Sequence, residues 1–385
     1  MKNKTLKFTF LFLVLILSGL NLFIVFTGRF YLYKTIWYNF SNIDDGNIFP
    51  KRVIENGTPE PWKYSKKFNK TALPDTLEKY LTSLNTAATL VIKNDSVVFE
   101  QYWDGYTDSS QTNSFSIAKS MVSLLVGIAL NEHKINSLND PVRKYLPEYK
   151  HNLGNNVTIK HLLTMSSGLN WDESYKNPLS MTTEAYYGSD LQSLIKKIYP
   201  IQKPGEYFSY KSGDTQILGL MLMKLYNKSL SEILSEKIWK KIGAEHPAYW
   251  SLDKENGIEK AYCCVNTNAR DYARLGKLMM NFGVWNNDTI VNKEYITEAI
   301  TPNGLIDEET KQPIDYYGYQ WWILPLYKNH NDMFYARGVN GQYVIVIPSE
   351  KTIIVRLGDK RGEKVGKTVH HQETFKLIDF ALSIK

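Results

Sequence analysis

Two runs of β-branched and aromatic residues at opposite ends of the body of this chain constrain its architecture most. Thr89–Lys93 and Val97–Tyr102 flank a turn at Asn94 and Asp95, and Tyr343–Ile347 and Thr352–Arg356 flank a turn at Pro348–Lys351. Each pair reads as a β-hairpin, and a lone hairpin is marginal in water. Residues 116–300 between them read as mostly helical with long loops, and His370–Ile384 as a final helix. The expected architecture is therefore α/β of the α+β kind. One antiparallel sheet is closed by the two ends of the body, flanked by N- and C-terminal helices, and carries a large helical insertion.

Before that body, Phe8–Phe26 runs for 19 residues without a charge. At ~1.5 Å per residue it matches a bilayer core. Lys2, Lys4 and Lys7 precede it, and positive flanks stay cytoplasmic, so the body is expected on the extracytoplasmic, periplasmic side. The rival is a cleaved signal peptide, but no small-residue cleavage site follows at Thr27-Gly28-Arg29-Phe30. Tyr31, Tyr33, Lys34, Trp37 and Tyr38 suit the membrane interface. Residues 1–30 are thus expected to be a single transmembrane anchor (or signal peptide), 31–75 a juxtamembrane linker with Pro50, Pro59, Pro61 and Pro74, and 76–385 the globular domain.

The formal charge of +7 lies entirely in residues 1–70, which hold 11 Lys/Arg and 4 Asp/Glu. The neutral remainder argues against a nucleic-acid partner. Seven scattered histidines form no metal-binding pair, and no phosphate-loop, dinucleotide or G-x-S-x-G motif occurs, so neither metal nor cofactor is expected. His161 reads as a core or capping histidine. The only two cysteines, Cys263 and Cys264, are adjacent, and the expectation is two thiols with at least one buried.

The chemical signal is Ser116-Ile-Ala-Lys119, which opens a run apolar on nearly every side as far as Leu130. Such a helix is buried. At i and i+3 its serine and lysine share a face, and the helix mouth offers unpaired N–H groups. Burial makes a lysine easier to deprotonate. Two other S-x-x-K matches compete. Ser193 and Lys196 lie on an amphipathic stretch, and Ser251 and Lys254 read as part of a polar loop after Trp250.

The longer context resembles the serine β-lactamase-related family of class C β-lactamases, DD-peptidases, esterases and amidases. The segments carrying the resemblance are Ser116–Lys119, Leu138–Pro147, Thr158–Leu169, Tyr207–Gly219 and Asn268–Gly276. In motif style, Tyr210-Lys-Ser212, Tyr319–Trp322 and Gly338-Val-Asn-Gly341-Gln look most like 6-aminohexanoate-dimer hydrolase and its relatives. Where the family usually carries K-T-G or H-x-G, this chain has Ala336-Arg337-Gly338. The missing strand lysine implies poor recognition of a β-lactam carboxylate, and strand alternation turns Arg337 away from its neighbours.

The resemblance implies a serine hydrolase that cleaves a small or short peptide-like ester or amide through an acyl-enzyme on Ser116. Tyr210, its pKa lowered by the Lys119 charge, would move the proton. Ser212 would bond Lys119 or substrate. The N–H groups of Ser116 and Val339 would hold the oxyanion, Gly338 and Gly341 would let substrate approach the strand edge, and Tyr175, Trp321 and Trp322 would wall the pocket. A DD-peptidase or β-lactamase, and a binding protein of the same fold without turnover, are the alternatives. Oligomeric state stays open.

Overall fold

The computed structural model describes residues 2–149, 153 and 156–384; Met1 and Lys385, the outer limits of the expected ranges, lie outside them. The helices that position the site are α1 (Lys2–Thr27), α2 (Tyr31–Tyr38), α3 (Asp75–Ser83), α4 (Ile117–Asn131), α5 (Met181–Tyr187), α6 (Ser212–Tyr226), α7 (Ala269–Met280) and α8 (Gln372–Ser383). The strands are β1 (Lys51–Ile54), β2 (Lys63–Tyr64), β3 (Thr86–Lys93), β4 (Ser96–Tyr102), β5 (Thr112–Asn113), β6 (Ala248–Ser251), β7 (Val265–Thr267), β8 (Trp322–Ile323), β9 (Phe334–Arg337), β10 (Tyr343–Ile347) and β11 (Thr352–Gly358).

Seven strands form the main sheet in the order β8-β9-β10-β11-β3-β4-β2. All neighbours are antiparallel except the short parallel pair of β2 and β4. The two hairpins meet where β11 pairs with β3, with Thr89 opposite Arg356. Both faces are covered, which is why β3, β10 and β11 are buried along almost their whole length. Leu90, Ile92, Val344, Val346, Ile353 and Val355 face the main core, which also holds α4, α6 and α7. Val91, Ile345 and Ile354 face the other way, onto α3 and α8. Helix α7 lies close on the sheet because residue 276 is glycine: a Cβ there would stand 2.8 Å from Ile353 Cγ2.

A second, four-stranded sheet, β1-β6-β7-β5, stands beside Ser116. Its strand β6 contains Ser251, which is fully buried and takes a bond from Asn266 Nδ2 at 3.3 Å. The expectation of a polar loop at Ser251 is therefore corrected: Tyr249 and Trp250 pair with Asn266 and Val265 and draw the segment into a sheet. Cys263 and Cys264 are joined by a disulfide rather than standing as two thiols. Cys264 adopts φ 74, a left-handed turn that folds one residue back on the other. His161 caps: its ring nitrogen accepts from Thr158 N while Thr158 Oγ1 accepts from His161 N.

Helix α1 is apolar and exposed from Thr5 to Thr27, long enough to cross a membrane. It turns at Gly28 (φ 68) into α2. The chain after α2 packs on the body. Ser41 O accepts from Asn340 Nδ2, Ile43 O from Asn113 N, and Asp45 Oδ2 from Tyr186 OH at 2.7 Å.

Candidate active site

Ser116 caps α4, and every residue from Ile117 to Ala129 is buried. The apolar run thus lies in the main core against α6 and β9, which holds its first turn in place. Phe115, just before it, sits at φ 44. A bulky side chain in the left-handed region costs roughly 1–3 kcal/mol. The surroundings that hold it there are Asn113 Oδ1, which accepts Phe115 N at 2.9 Å, and the Tyr186 ring stacked on the phenyl. This sharp corner leaves Ser116 half-exposed at the helix mouth.

Lys119 Nζ reaches Ser116 Oγ and Tyr262 O, both at 2.9 Å. The amine is 1 % exposed, and burial lowers its pKa to about 8, opposed by the Glu173 carboxylate. Lys119 also lies 5.1 Å from the centre of the Tyr210 ring. The Tyr210 hydroxyl faces Ser116, which favours its ionised form, and its ring stacks on Trp322 at 5.7 Å. Its pKa is raised, not lowered as expected from the Lys119 charge. Burial contributes most and Glu173 adds to it, outweighing the Ser116 contact and the charges of Arg337 and Arg361. The resting centre therefore pairs a readily deprotonated amine with a firmly protonated phenol.

Glu173 is the residue that sequence reasoning missed. It accepts Trp171 Nε1 at 2.8 Å, Ser212 N at 2.6 Å, Ser212 Oγ at 2.7 Å and Tyr175 OH at 2.5 Å. Ser212 accordingly bonds Glu173 rather than Lys119, because as first residue of α6 its N–H and hydroxyl both face that carboxylate. Nothing local in the sequence marks a loop glutamate 39 residues from the serine it holds. Its charge is expected to shape the pH profile. If neutral Lys119 is the base, kcat/KM for an ester rises with pH to a plateau above about 8. Glu173→Gln keeps the shape but removes the charge that holds the proton on Lys119, so the midpoint should move to lower pH. A profile that stays put or moves up overturns that role.

The turn after β9 completes the centre. Ser116 N and Val339 N donate to no acceptor among the described residues. They are the pair expected to hold an oxyanion. Gly338 and Gly341 leave no room for a side chain of their own. A Cβ at 338 would meet Ser114 O at 2.7 Å, and one at 341 would meet Arg356 Nη1 at 2.3 Å. These glycines let the turn press against the protein. Trp321 is corrected: it is buried in the main core, edge-on to Phe334, rather than walling a pocket. Trp322 backs Tyr210, and Tyr175 stands half-exposed at the rim with its hydroxyl turned in to Glu173.

Ala336 is buried in the main core and offers no cation. Arg337 points to the opposite face of β9, where its guanidinium lies 3.7 Å from the Trp322 ring centre and donates to Val369 O at 2.8 Å. That face also carries Tyr210, so alternation delivers Arg337 to the site. Arg361 lies close enough to oppose the charge on Arg337 and to lower the Tyr175 pKa. Neither arginine meets a carboxylate within ion-pair distance among the described residues.

A mixed α/β body with its main sheet covered on both faces, a Ser–Lys pair at a buried helix mouth and a tyrosine across from it defines a serine hydrolase of the β-lactamase, penicillin-binding-protein and esterase superfamily. The chain belongs to the beta-lactamase family, whose model matches residues 74–374. It is 26% identical over 304 residues to the 6-aminohexanoate-dimer hydrolase of Paenarthrobacter ureafaciens, covering 74% of this chain and 76% of that one. Protein flp of Staphylococcus aureus is 29% identical over 182 residues, 42% of this chain and 34% of flp. Among solved structures, a Bacillus anthracis protein provisionally assigned as a 6-aminohexanoate-dimer hydrolase superposes with a TM-score of 0.75 at 24% identity, covering 89% and 92% of the two chains. A family VIII carboxylesterase gives 0.63 at 16% identity, covering 84% and 99%.

Proposed function

We propose that this hydrolase is tethered to the membrane by α1 and cleaves carboxylic esters or linear amides outside the cytoplasm. The contact of Ser116 Oγ with Lys119 Nζ and Tyr210 carries the reading. Neutral Lys119 takes the Ser116 proton as Oγ adds to the substrate carbonyl carbon, and the N–H groups of Ser116 and Val339 receive the developing oxyanion. Tyr210, still protonated, hands its proton to the leaving oxygen or nitrogen as that bond breaks, and Lys119 replaces it. Water then adds to the acyl-enzyme, its proton passing back through the same groups to Ser116 Oγ.

The unpaired Arg337 and Arg361 favour a second reading, a carboxypeptidase or β-lactamase whose substrate ends in a carboxylate. Ala336, which withholds the usual strand cation, weighs against it. The deciding comparison is kcat/KM for a short-chain p-nitrophenyl ester, a penicillin and a D-alanyl-D-alanine peptide. The neutral ester is expected to be the best of the three. A preference for the penicillin or the peptide overturns the esterase and amidase reading. Whichever substrate wins, Arg337→Ala should lower kcat/KM only for those bearing a carboxylate. A lost charged hydrogen bond costs roughly 1.5–3 kcal/mol, about 10- to 150-fold.

A further inference from the structure

We infer that the active-site mouth is held against the membrane surface, and that the substrate is an amphiphile whose carboxylic ester lies at that surface with its apolar chain in the bilayer. The inference rests on the hydrolase reading and goes further, to where the scissile bond comes from.

Helix α2 leaves its apolar side outside. Phe30 is 59 %, Ile36 59 %, Trp37 82 % and Phe40 75 % exposed, whereas Tyr31 and Leu32 pack inward. A water-soluble surface does not gather such residues on one short helix and the residues flanking it, but the bilayer interface favours them. The helix also follows, after one turn, the one segment among the described residues that is long and apolar enough to span a bilayer, and the corner between them is fixed. Arg29 N donates to Ile24 O, and Tyr33 OH to Asn21 Oδ1 at 2.5 Å. At its other end α2 grips the body: Tyr38 stacks on Tyr187 of α5, whose hydroxyl donates to Asn39 O at 3.3 Å.

The chain leaving α2 then runs along the wall of the site. Ser41 O accepts from Asn340, next to Val339. Ile43 O accepts from Asn113, three residues before Ser116, and Ile43 N and Asn42 Nδ2 donate to Asp359. The loop that leads into α5 leaves Tyr175 51 % and Leu179 44 % exposed. An anchor, an interfacial helix and the reactive serine are thus joined by about a dozen residues with their hydrogen bonds made, not by a free tether.

The full chain is compared in phosphatidylcholine vesicles on two probes, water-soluble p-nitrophenyl acetate and p-nitrophenyl palmitate carried in the vesicles. The comparison is repeated with Trp37→Ser/Phe40→Ser, which keeps α1 and touches no group of the reacting centre. The double variant is expected to lose at least tenfold on the palmitate ester and less than twofold on the acetate. Equal loss on both, or no loss on either, overturns the inference, as does a natively expressed chain whose intact mass shows that α1 has been removed. Failure of the unaltered protein to hydrolyse even the acetate would instead count against the hydrolase reading.

Discussion

Ser116→Ala should abolish labelling by a fluorophosphonate and lower ester turnover by on the order of 10³-fold or more. Three serines in this chain precede a lysine by three residues, and their surroundings decide between them. Ser116 sits half-exposed at a strained corner with an amine at 2.9 Å. Ser193 spends its hydroxyl on Asp190 at 2.7 Å on the exposed side of a short helix, Leu191–Ile195. Ser251 is wholly buried in β6, and Lys254 is exposed. Ser193→Ala and Ser251→Ala should therefore label like the unaltered protein once shown to be folded. Mass mapping of the labelled peptide checks the assignment directly, and label found on Ser193, or surviving in Ser116→Ala, would end it.

Lys119→Met should lose turnover to a similar depth while keeping or improving stability near pH 7. A lysine whose pKa falls from 10.5 to about 8 on folding carries a burial cost of about 3 kcal/mol while it is protonated in both states. Methionine removes that cost and leaves Tyr262 O and Ser116 Oγ without their donor, worth about 1–3 kcal/mol in the other direction. The two nearly cancel, so the pH dependence is the sharper test. Between about pH 8 and 10.5 the unfolded lysine holds a proton that the folded one has released. The unaltered protein should therefore gain stability relative to the variant across that window and show a constant gap below it. Parallel melting curves from pH 6 to 10.5 read this out. A gap that widens in favour of the variant as pH rises would mean that Lys119 is not buried as a depressed amine.

The parts of this architecture legible in the sequence are those governed by short-range pattern. The two hairpins and the helix opened by Ser116 each announce themselves within a dozen residues, through alternation or an unbroken apolar run. The four-stranded sheet did not, because strands of two to four residues carry no period; Ser251 was lost with it. The Tyr210 pKa could not be foreseen because its sign depends on burial and on Glu173, brought in by a distant loop. Trp321 and Trp322 are adjacent and chemically alike, yet one is core and the other supports Tyr210; only the pleat of β8 tells them apart. The bonding of Cys263 to Cys264 likewise turns on one backbone angle that no pattern records.

The pairing of β3 with β11 also sets a timetable for the newborn chain. Arg356 reaches back across 270 residues to Thr86, so the first hairpin made must wait for the last strand before the sheet can close. Contacts so remote in sequence slow folding, since a long loop must be closed before they contribute. Through that delay the inner edge of β3 is bare, a template for pairing with another unfinished chain. If the body is carried across the membrane as proposed, that interval is spent outside the cytoplasm. The protein's yield should therefore depend on holding chaperones there, and a stop codon anywhere before Thr352 would give a product cleared by proteases, with no partial activity to detect.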